Sequence, residues 1–279
     1  MNIKKYIILA LTCLSSVFSS ETFDVNQSQV GVWLSGSTYC AKDAYPTMKL
    51  SGPAQGFVVT DILYDKKTDL QGFVGLLPST STIYVVFRGS SSILNWLDDA
   101  EALKTNYDTF PECDCKVHRG FYKATLALKT QTVNALHKLK IMYPTYKIVT
   151  SGHSLGAAIS QLISMELAAI NIRSTVYNYG QPRIGDKKYA AFVNTKLPDM
   201  WRFTHNRDIV PHIPPIKEMN YYHSCREVFQ DEKGVVKTCS NVDCEDPTCT
   251  DQYSLHQTNG KDHETYLNHD VSCEASTVA

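Results

Sequence analysis

The sequence lacks an excess of charge of either sign. It has 27 Lys and Arg residues against 28 Asp and Glu residues among 279, which gives a formal net charge of −1. Proteins that bind nucleic acid or anionic membranes electrostatically usually carry a basic excess, so we expect neither partner. Internal repeats and low-complexity stretches are also absent. With 43% hydrophobic and 20% charged residues, the composition is that of a globular protein.

The N-terminal apolar run, residues 6–14, is too short to span a bilayer. It follows Lys4 and Lys5 and precedes serines at 15, 16, 19 and 20, which is the order of a secretory signal peptide. We therefore predict a signal peptide at 1–20 and a single secreted domain at 21–279. A buried N-terminal helix or a membrane anchor is the alternative, and delivery to a lysosome or vacuole is compatible with the same signal.

The cysteines also favour export. Of nine, Cys13 lies in the predicted signal peptide, and an even count of eight remains, enough for up to four disulfides. The alternative is a zinc site at Cys239, Cys244 and Cys249, whose spacing differs from the close pairs of zinc ribbons. We expect no metal and no cofactor. A group of acidic residues nearby lacks the EF-hand pattern and is interpreted as a solvated loop: Asp243, Glu245, Asp246 and Asp251.

Strand patterns alternate with helix patterns along the middle of the chain. The predicted strands are residues 83–87, 146–150, 176–179 and 200–204. The predicted helices are residues 120–142, 157–170 and 186–196. This alternation is typical of βαβ units, so we expect an α/β fold with a mostly parallel central sheet and helices on both faces. From residue 221 onward we expect cysteine-rich loops and a short strand that complete the same domain.

Ser154 lies in the pentapeptide GHSLG, between a predicted strand and a predicted helix. A Gly-x-Ser-x-Gly turn at such a junction strains the serine backbone and projects its Oγ above the sheet edge. Gly152 and Gly156 would leave the room that this turn needs, because a Cβ at either position would crowd neighbouring backbone. We predict that Ser154 is the nucleophile of a serine hydrolase. An ordinary tight turn is the alternative.

Several blocks besides this pentapeptide resemble the class 3 lipases, the family of the filamentous-fungal triacylglycerol lipases. In chain order they are VFRGS at 86–90 with NW at 95–96, VHRGF at 117–121, GHSLGA at 152–157, YGQPRIG at 179–185, DIVP at 208–211, and DH at 262–263 with Tyr266. The resemblance runs over residues 39–273. It implies the α/β-hydrolase fold and hydrolysis of carboxylic esters.

The α/β-hydrolases present their triad in the chain order Ser, Asp, His, so the acid should follow Ser154. Asp208 comes after the strand predicted at 200–204, and the family resemblance favours it as the acid. Asp199 and Asp186 are the alternatives, and Asp186 also suits the N-terminal cap or first turn of a helix.

The base should lie later still. His256, His263 and His269 are the histidines left by this order and by distance from the acid. Only His263 matches a block of the family, so the resemblance makes it the base, and the other two are interpreted as surface histidines. His153 is interpreted as a structural residue behind the turn, despite its place next to Ser154.

The resemblance also implies an oxyanion hole and a lid. The N–H groups of Leu155 and Ser90 would hold the oxyanion, with the Ser90 hydroxyl as a further donor. Residues 91–100 match the position of the lid in this family, and a short amphipathic helix there would cover the active site. Its apolar side chains would be Ile93, Leu94, Trp96 and Leu97. A surface helix packed on the core is the alternative.

Three disulfides are expected. Members of the family tie an N-terminal helix to the end of the chain, which implies a bond between Cys40 and Cys273. We expect Cys113 with Cys115 as a local pair, although the single intervening residue departs from the wider spacing of the fungal relatives. Cys239 with Cys249 is the third expected pair.

The resemblance implies a secreted, monomeric triacylglycerol lipase that acts on lipid esters at an interface. A phospholipase, a galactolipase or a feruloyl-type esterase on the same fold is the alternative. Two further classes stay open, a serine peptidase and a non-catalytic binding protein. A peptidase could use the same triad, whereas a binding protein would not need all three positions filled, as they are here.

Overall fold

The computed structural model describes residues 22–90, 102–242 and 244–278. The predicted signal peptide and the predicted lid residues Ile93, Leu94, Trp96 and Leu97 lie outside these ranges. The helices are α1 Val25–Ser37, α2 Arg119–Met142, α3 Leu155–Ala169, α4 Lys187–Lys196, α5 Ile216–Met219 and α6 Cys273–Ser276. The strands are β1 Val58–Asp65, β2 Leu70–Leu77, β3 Thr82–Phe87, β4 Lys104–Asn106, β5 Lys116–His118, β6 Lys147–His153, β7 Thr175–Tyr179, β8 Met200–His205, β9 Glu227–Gln230, β10 Val236–Thr238, β11 Thr265–Tyr266 and β12 His269–Asp270.

Within the described ranges, eight strands form the central sheet in the order β1-β2-β3-β6-β7-β8-β9-β10. The strands from β3 to β9 in this order are parallel, and β1, β2 and β10 extend the two edges as antiparallel strands. The predicted mostly parallel α/β sheet is therefore confirmed. The last third of the chain contributes two strands to the central sheet, β9 and β10, instead of the single short strand that we expected.

Both faces of the sheet are covered. Ile83 and Val85 of β3 point to α2 and α3, whereas Tyr84 and Val86 belong to the core on the α1 side. Such a strand is buried on both faces, which explains why β3 is a continuous run of apolar and β-branched residues without polar alternation. Because β6, β7 and β8 are parallel, their carboxyl ends lie at the same edge of the sheet. Ligands of open α/β sheets bind at this edge.

Four disulfides join the eight described cysteines. Three are the pairs expected from the sequence, Cys40–Cys273, Cys113–Cys115 and Cys239–Cys249. The fourth, Cys225–Cys244, joins the loop after α5 to the segment that carries Glu245 and Asp246. The zinc alternative fails for this reason, since each of its three cysteines is consumed by a disulfide. No helix of the described ranges combines the length and apolarity needed to cross a membrane.

Candidate active site

The turn between β6 and α3 has the geometry of a strained nucleophile elbow. Ser154 has φ 59° and ψ −126° and is the N-cap of α3, in a backbone region that is unusual for a residue with a Cβ. The flanking glycines are required sterically. A Cβ on Gly152 would lie 2.7 Å from the nitrogen of Ala157, and a Cβ on Gly156 would lie 2.8 Å from the carbonyl carbon of Phe87.

Ser154 is fully buried, and its Oγ has no hydrogen-bond partner among the described residues. The loop after β3 runs directly against it, because a Cβ on Gly89 would lie only 3.1 Å from the Cβ of Ser154. Ser90 follows Gly89, and Leu155 begins α3, where the first N–H groups have no intrahelical acceptor. Both expected oxyanion donors therefore belong to segments that adjoin Ser154.

Asp208 and His263 come together at the same edge. Nδ1 of His263 lies 2.8 Å from Oδ2 of Asp208, and both side chains are fully buried. An ionised carboxylate can only accept, so Nδ1 carries the proton and Nε2 presents a lone pair. Nε2 has no partner within the described ranges. The structure thus holds two unpartnered atoms in this site, Ser154 Oγ and His263 Nε2.

Tyr266, which the sequence indicates only as a member of a family block, is also part of this site. Its buried hydroxyl donates to Oδ2 of Asp208, while Oδ1 accepts the N–H of Val210 at 2.9 Å. Burial and the neighbouring Asp208 raise the pKa of Tyr266 well above its usual value, so it remains a donor. Asp208 therefore receives three hydrogen bonds, which fix its carboxylate against His263.

Of the remaining candidates, two make structural contacts and two are exposed. Asp186 caps α4 by accepting the N–H of Tyr189 at 2.9 Å, as one of its two interpretations expects. Asp199 is exposed before β8, and His256 is exposed beside Ser254. His269 is not the surface residue that we expected. It is buried, because its ring stacks on Trp33 at 3.6 Å between centroids.

A second buried polar group lies behind the Asp208 loop. We define the arginine cluster as Arg183, Arg202, Glu227, Glu245 and Asp251. Arg183 forms a bidentate pair with Glu245 at 3.0 and 2.9 Å and a further pair with Asp251 at 3.2 Å. Arg202 lies 3.7 Å from Glu227, and both are buried. The prediction of a solvated acidic loop is wrong for Glu245 and Asp251, which Arg183 holds half-buried. It is also wrong for Asp246, which is buried and accepts the N–H of Ser240 at 2.6 Å. Asp243 lies outside the described residues.

The arginine cluster also supports the loop that follows Asp208. Arg183 donates through Nη1 to the carbonyl of His212 at 2.7 Å and through its backbone N–H to the carbonyl of Ile213 at 2.8 Å. Glu245 in turn accepts the N–H of His223 at 2.7 Å. The cysteine-rich segment thus supports the loop that carries Asp208.

The comparisons with known proteins agree with this geometry. Residues 84–218 match the family model described as Lipase (class 3). A lipase from Rhizomucor miehei is 28% identical over 278 residues, covering 94% of this chain and 73% of that protein. The secreted mono- and diacylglycerol lipase A of Penicillium cyclopium is 31% identical over 204 residues, covering 72% of this chain and 63% of the relative.

Solved structures show the same fold. The Rhizomucor miehei lipase–propeptide complex superposes with a TM-score of 0.80 at 28% identity, covering 88% of this chain and 81% of that one. A triacylglycerol lipase whose catalytic centre is described as a serine protease triad gives a TM-score of 0.80 at 27% identity, covering 89% and 96% of the two chains. The chain belongs to the class 3 lipase family, and with it to the serine ester hydrolases of the α/β-hydrolase fold.

Proposed function

We propose that this protein is a secreted lipase that hydrolyses acylglycerol esters with Ser154 as nucleophile, His263 as base and Asp208 as the orienting acid. One observation carries the assignment. Ser154 Oγ, on a strained turn, and His263 Nε2 are both buried without partners in the described residues. The other ring nitrogen of His263, Nδ1, lies 2.8 Å from Oδ2 of Asp208. Buried polar atoms without partners are costly, and they cluster where a substrate supplies the missing contact.

The proposed reaction has two halves. His263 Nε2 takes the Ser154 proton as Oγ attacks the ester carbonyl, and the same proton then passes to the leaving alcohol oxygen as the acyl–enzyme forms. In the second half, water loses a proton to Nε2 and attacks the acyl carbon, which releases the carboxylic acid and restores Ser154. Asp208 keeps Nδ1 protonated throughout and stabilises the imidazolium.

The N–H groups of Leu155 and Ser90 are the proposed donors to the oxyanion, with the Ser90 hydroxyl as an additional one. Removal of one such donor typically lowers the rate by about 10²–10³-fold. The chemistry that we propose uses side chains and backbone of this chain and calls on no cofactor.

The substrate class follows from the relatives. One is named a secreted mono- and diacylglycerol lipase, and a solved structure is that of a triacylglycerol lipase. We infer that the substrate is a neutral acylglycerol met at a lipid–water interface, and that the protein is exported, as the relative named as secreted is. A short-chain triglyceride should then be hydrolysed faster once its concentration passes the solubility limit, and preferred over a soluble feruloyl ester. Smooth saturation through that limit with a feruloyl preference would favour the esterase alternative.

The nucleophile is tested by Ser154→Ala, with Ser160→Ala as the matched control. Ser160 is also a fully buried serine, and it lies farther along α3. Ser154→Ala should abolish hydrolysis and labelling by a fluorophosphonate probe while its thermal unfolding stays cooperative. Ser160→Ala should keep both. Labelling of another serine in the wild type, or activity in Ser154→Ala, would refute the assignment.

A further inference from the structure

His153, next to the nucleophile, makes two hydrogen bonds that the triad does not explain. Its Nε2 lies 2.8 Å from the carbonyl oxygen of His263, and its Nδ1 lies 2.7 Å from the hydroxyl of Tyr39. Tyr39 comes two residues after the end of α1 and directly before Cys40, whose disulfide holds that segment to α6. The Tyr39 oxygen also receives a hydrogen bond from the backbone of Gly89, beside the proposed oxyanion donor Ser90.

The direction of each hydrogen bond in this chain of contacts can be assigned. A carbonyl oxygen only accepts, so His153 Nε2 carries a proton. Burial, and then the neighbouring His263, hold the pKa of His153 well below its usual value, so the ring is neutral and Nδ1 has a lone pair. Tyr39 must therefore donate its hydroxyl proton to Nδ1. The result is one directed series, from Gly89 N–H to the Tyr39 hydroxyl, then to His153, and then to the His263 carbonyl.

We propose that Tyr39 and His153 are positioning residues, which hold the backbone of His263 and the loop at Gly89 in register with Ser154. The proposal rests on the roles assigned above to Ser154 and His263. Asp208 fixes only one nitrogen of the His263 ring, about which the ring could still pivot. The His153 hydrogen bond fixes the main chain of the same residue, so the two contacts together determine where Nε2 lies.

The relative positions of these groups matter because proton transfer and nucleophilic attack depend steeply on geometry. A displacement of about 1 Å can lower a rate by about 10²-fold. The same series joins four separate segments, namely the segment after α1, the loop after β3, the end of β6 and the segment at His263. Loss of the Tyr39 hydroxyl should therefore disturb the base and the oxyanion loop together, without removing any group that touches substrate.

Tyr39→Phe tests the proposal, since it deletes the hydroxyl oxygen and leaves the ring. We expect kcat on a soluble short-chain ester to fall by about tenfold or more, with KM changed less than about twofold. The downfield proton resonance of the His263–Asp208 hydrogen bond should shift or broaden, and fluorophosphonate labelling of Ser154 should slow in proportion to kcat.

The matched control is Tyr45→Phe. Tyr45 is a buried tyrosine on the same segment, and its hydroxyl donates to the Thr38 carbonyl at 2.6 Å and accepts from Gln71 at 2.8 Å, so it supports the peptide before Tyr39 but is not part of the series itself. This variant should lower the unfolding temperature yet keep kcat and the resonance. A Tyr39→Phe enzyme with kcat within twofold of wild type, or no lower than that of Tyr45→Phe, would overturn the proposal.

A second pair of variants covers the case in which Tyr39→Phe does not fold. His153→Gln keeps an N–H for the His263 carbonyl, whereas His153→Leu does not, so His153→Gln should retain the higher kcat. Equal values would contradict a positioning role. Failure of the triad assignment gives a different result, because the wild type would then fail to label at Ser154 whatever Tyr39 does.

Discussion

The proposed catalytic cluster, which we define as Ser154, Asp208 and His263, and the arginine cluster are both largely buried. Both hold the loop that begins at Asp208, yet they use their polar atoms differently. In the catalytic cluster, Ser154 Oγ and His263 Nε2 have no partners among the described residues. In the arginine cluster, every side-chain nitrogen of Arg183 donates to a carboxylate or a carbonyl, whereas Nη1 of Arg202 is buried without a partner among the described residues. An unsatisfied group is available for chemistry, whereas a satisfied one contributes rigidity.

The comparison predicts that substitutions in the two clusters separate activity from stability. The largest effect should come from Asp208→Asn, which keeps the shape of the side chain but supplies an amide N–H toward His263. The imidazole would then favour the wrong tautomer, and kcat should fall by about 10⁴-fold. Measurement of kcat together with urea unfolding decides this, and a loss below tenfold would contradict the role of Asp208.

Arg183→Met should have the largest effect on stability. It leaves Glu245 as a largely buried carboxylate without its bidentate partner, and breaking a buried pair in this way typically costs about 3–5 kcal/mol of unfolding free energy. The control is Lys138→Met, which breaks the exposed pair with Asp61 at 2.7 Å and should cost about 0–1 kcal/mol. If chemical denaturation showed equal losses of unfolding free energy for the two variants, the arginine cluster would contribute no more to stability than an exposed ion pair. The folded Arg183→Met protein should lose far less kcat than Asp208→Asn.

Tyr266→Phe removes one of the three donors to Asp208 and should lower kcat by about tenfold, equivalent to about 1.4 kcal/mol. Val210 and His263 still hold the carboxylate, which limits the loss. Steady-state kinetics on a soluble ester provide the measurement. A drop as large as that of Asp208→Asn would mean that the hydroxyl, not the carboxylate, orients His263.

The last predicted effect is a pH dependence of stability in the arginine cluster. Burial, and then the neighbouring Glu245, raise the pKa of Asp251 to about 7 from an ordinary 3.8. Because the folded state holds this proton more tightly, the group favours folding most at low pH, and its contribution is lost as the pH rises through about 7. One proton changes the unfolding free energy by at most about 1.4 kcal/mol per pH unit.

Asp251→Asn stays neutral and should remove that dependence. The variant should therefore gain stability relative to wild type between about pH 5 and about pH 8, as measured by urea unfolding at both values. If the variant instead lost stability relative to wild type over the same pH interval, Asp251 would not be the group that holds the proton.

The elements that the sequence predicts correctly are those with a local signature. The run at β3 and the two glycines around Ser154 constrain their own neighbourhoods. Helix α1 has no such signature, because its buried side includes Ser28, Ser35 and Gly31 instead of an apolar stripe. These small residues allow close packing, with Ser35 bonded to Ser151 at 3.0 Å. Periodicity of hydrophobic residues cannot reveal a helix of this kind.

Contacts between distant residues were also beyond the sequence. The proposed triad could be predicted because motif order and family blocks supply long-range information. Nothing comparable links Tyr39 to His153 across 114 residues, or Arg183 to Glu245 across 62. Glu245 looks like any acidic loop residue until the fold brings a buried guanidinium beside it. Electrostatic partners of this kind follow from topology, which local patterns do not encode.

The bond between Cys40 and Cys273 has a mechanical consequence. It closes a separation of 233 residues that contains the entire central sheet and the catalytic cluster. A pulling force applied to the two ends of the described chain would pass through this bond, so that only α1 and the short segments outside it could lengthen. Roughly 800 Å of extended chain is shielded in this way. Once α1 has been detached from the sheet, the tension passes through this one covalent bond, and the strands inside the loop are not extended until the bond is broken.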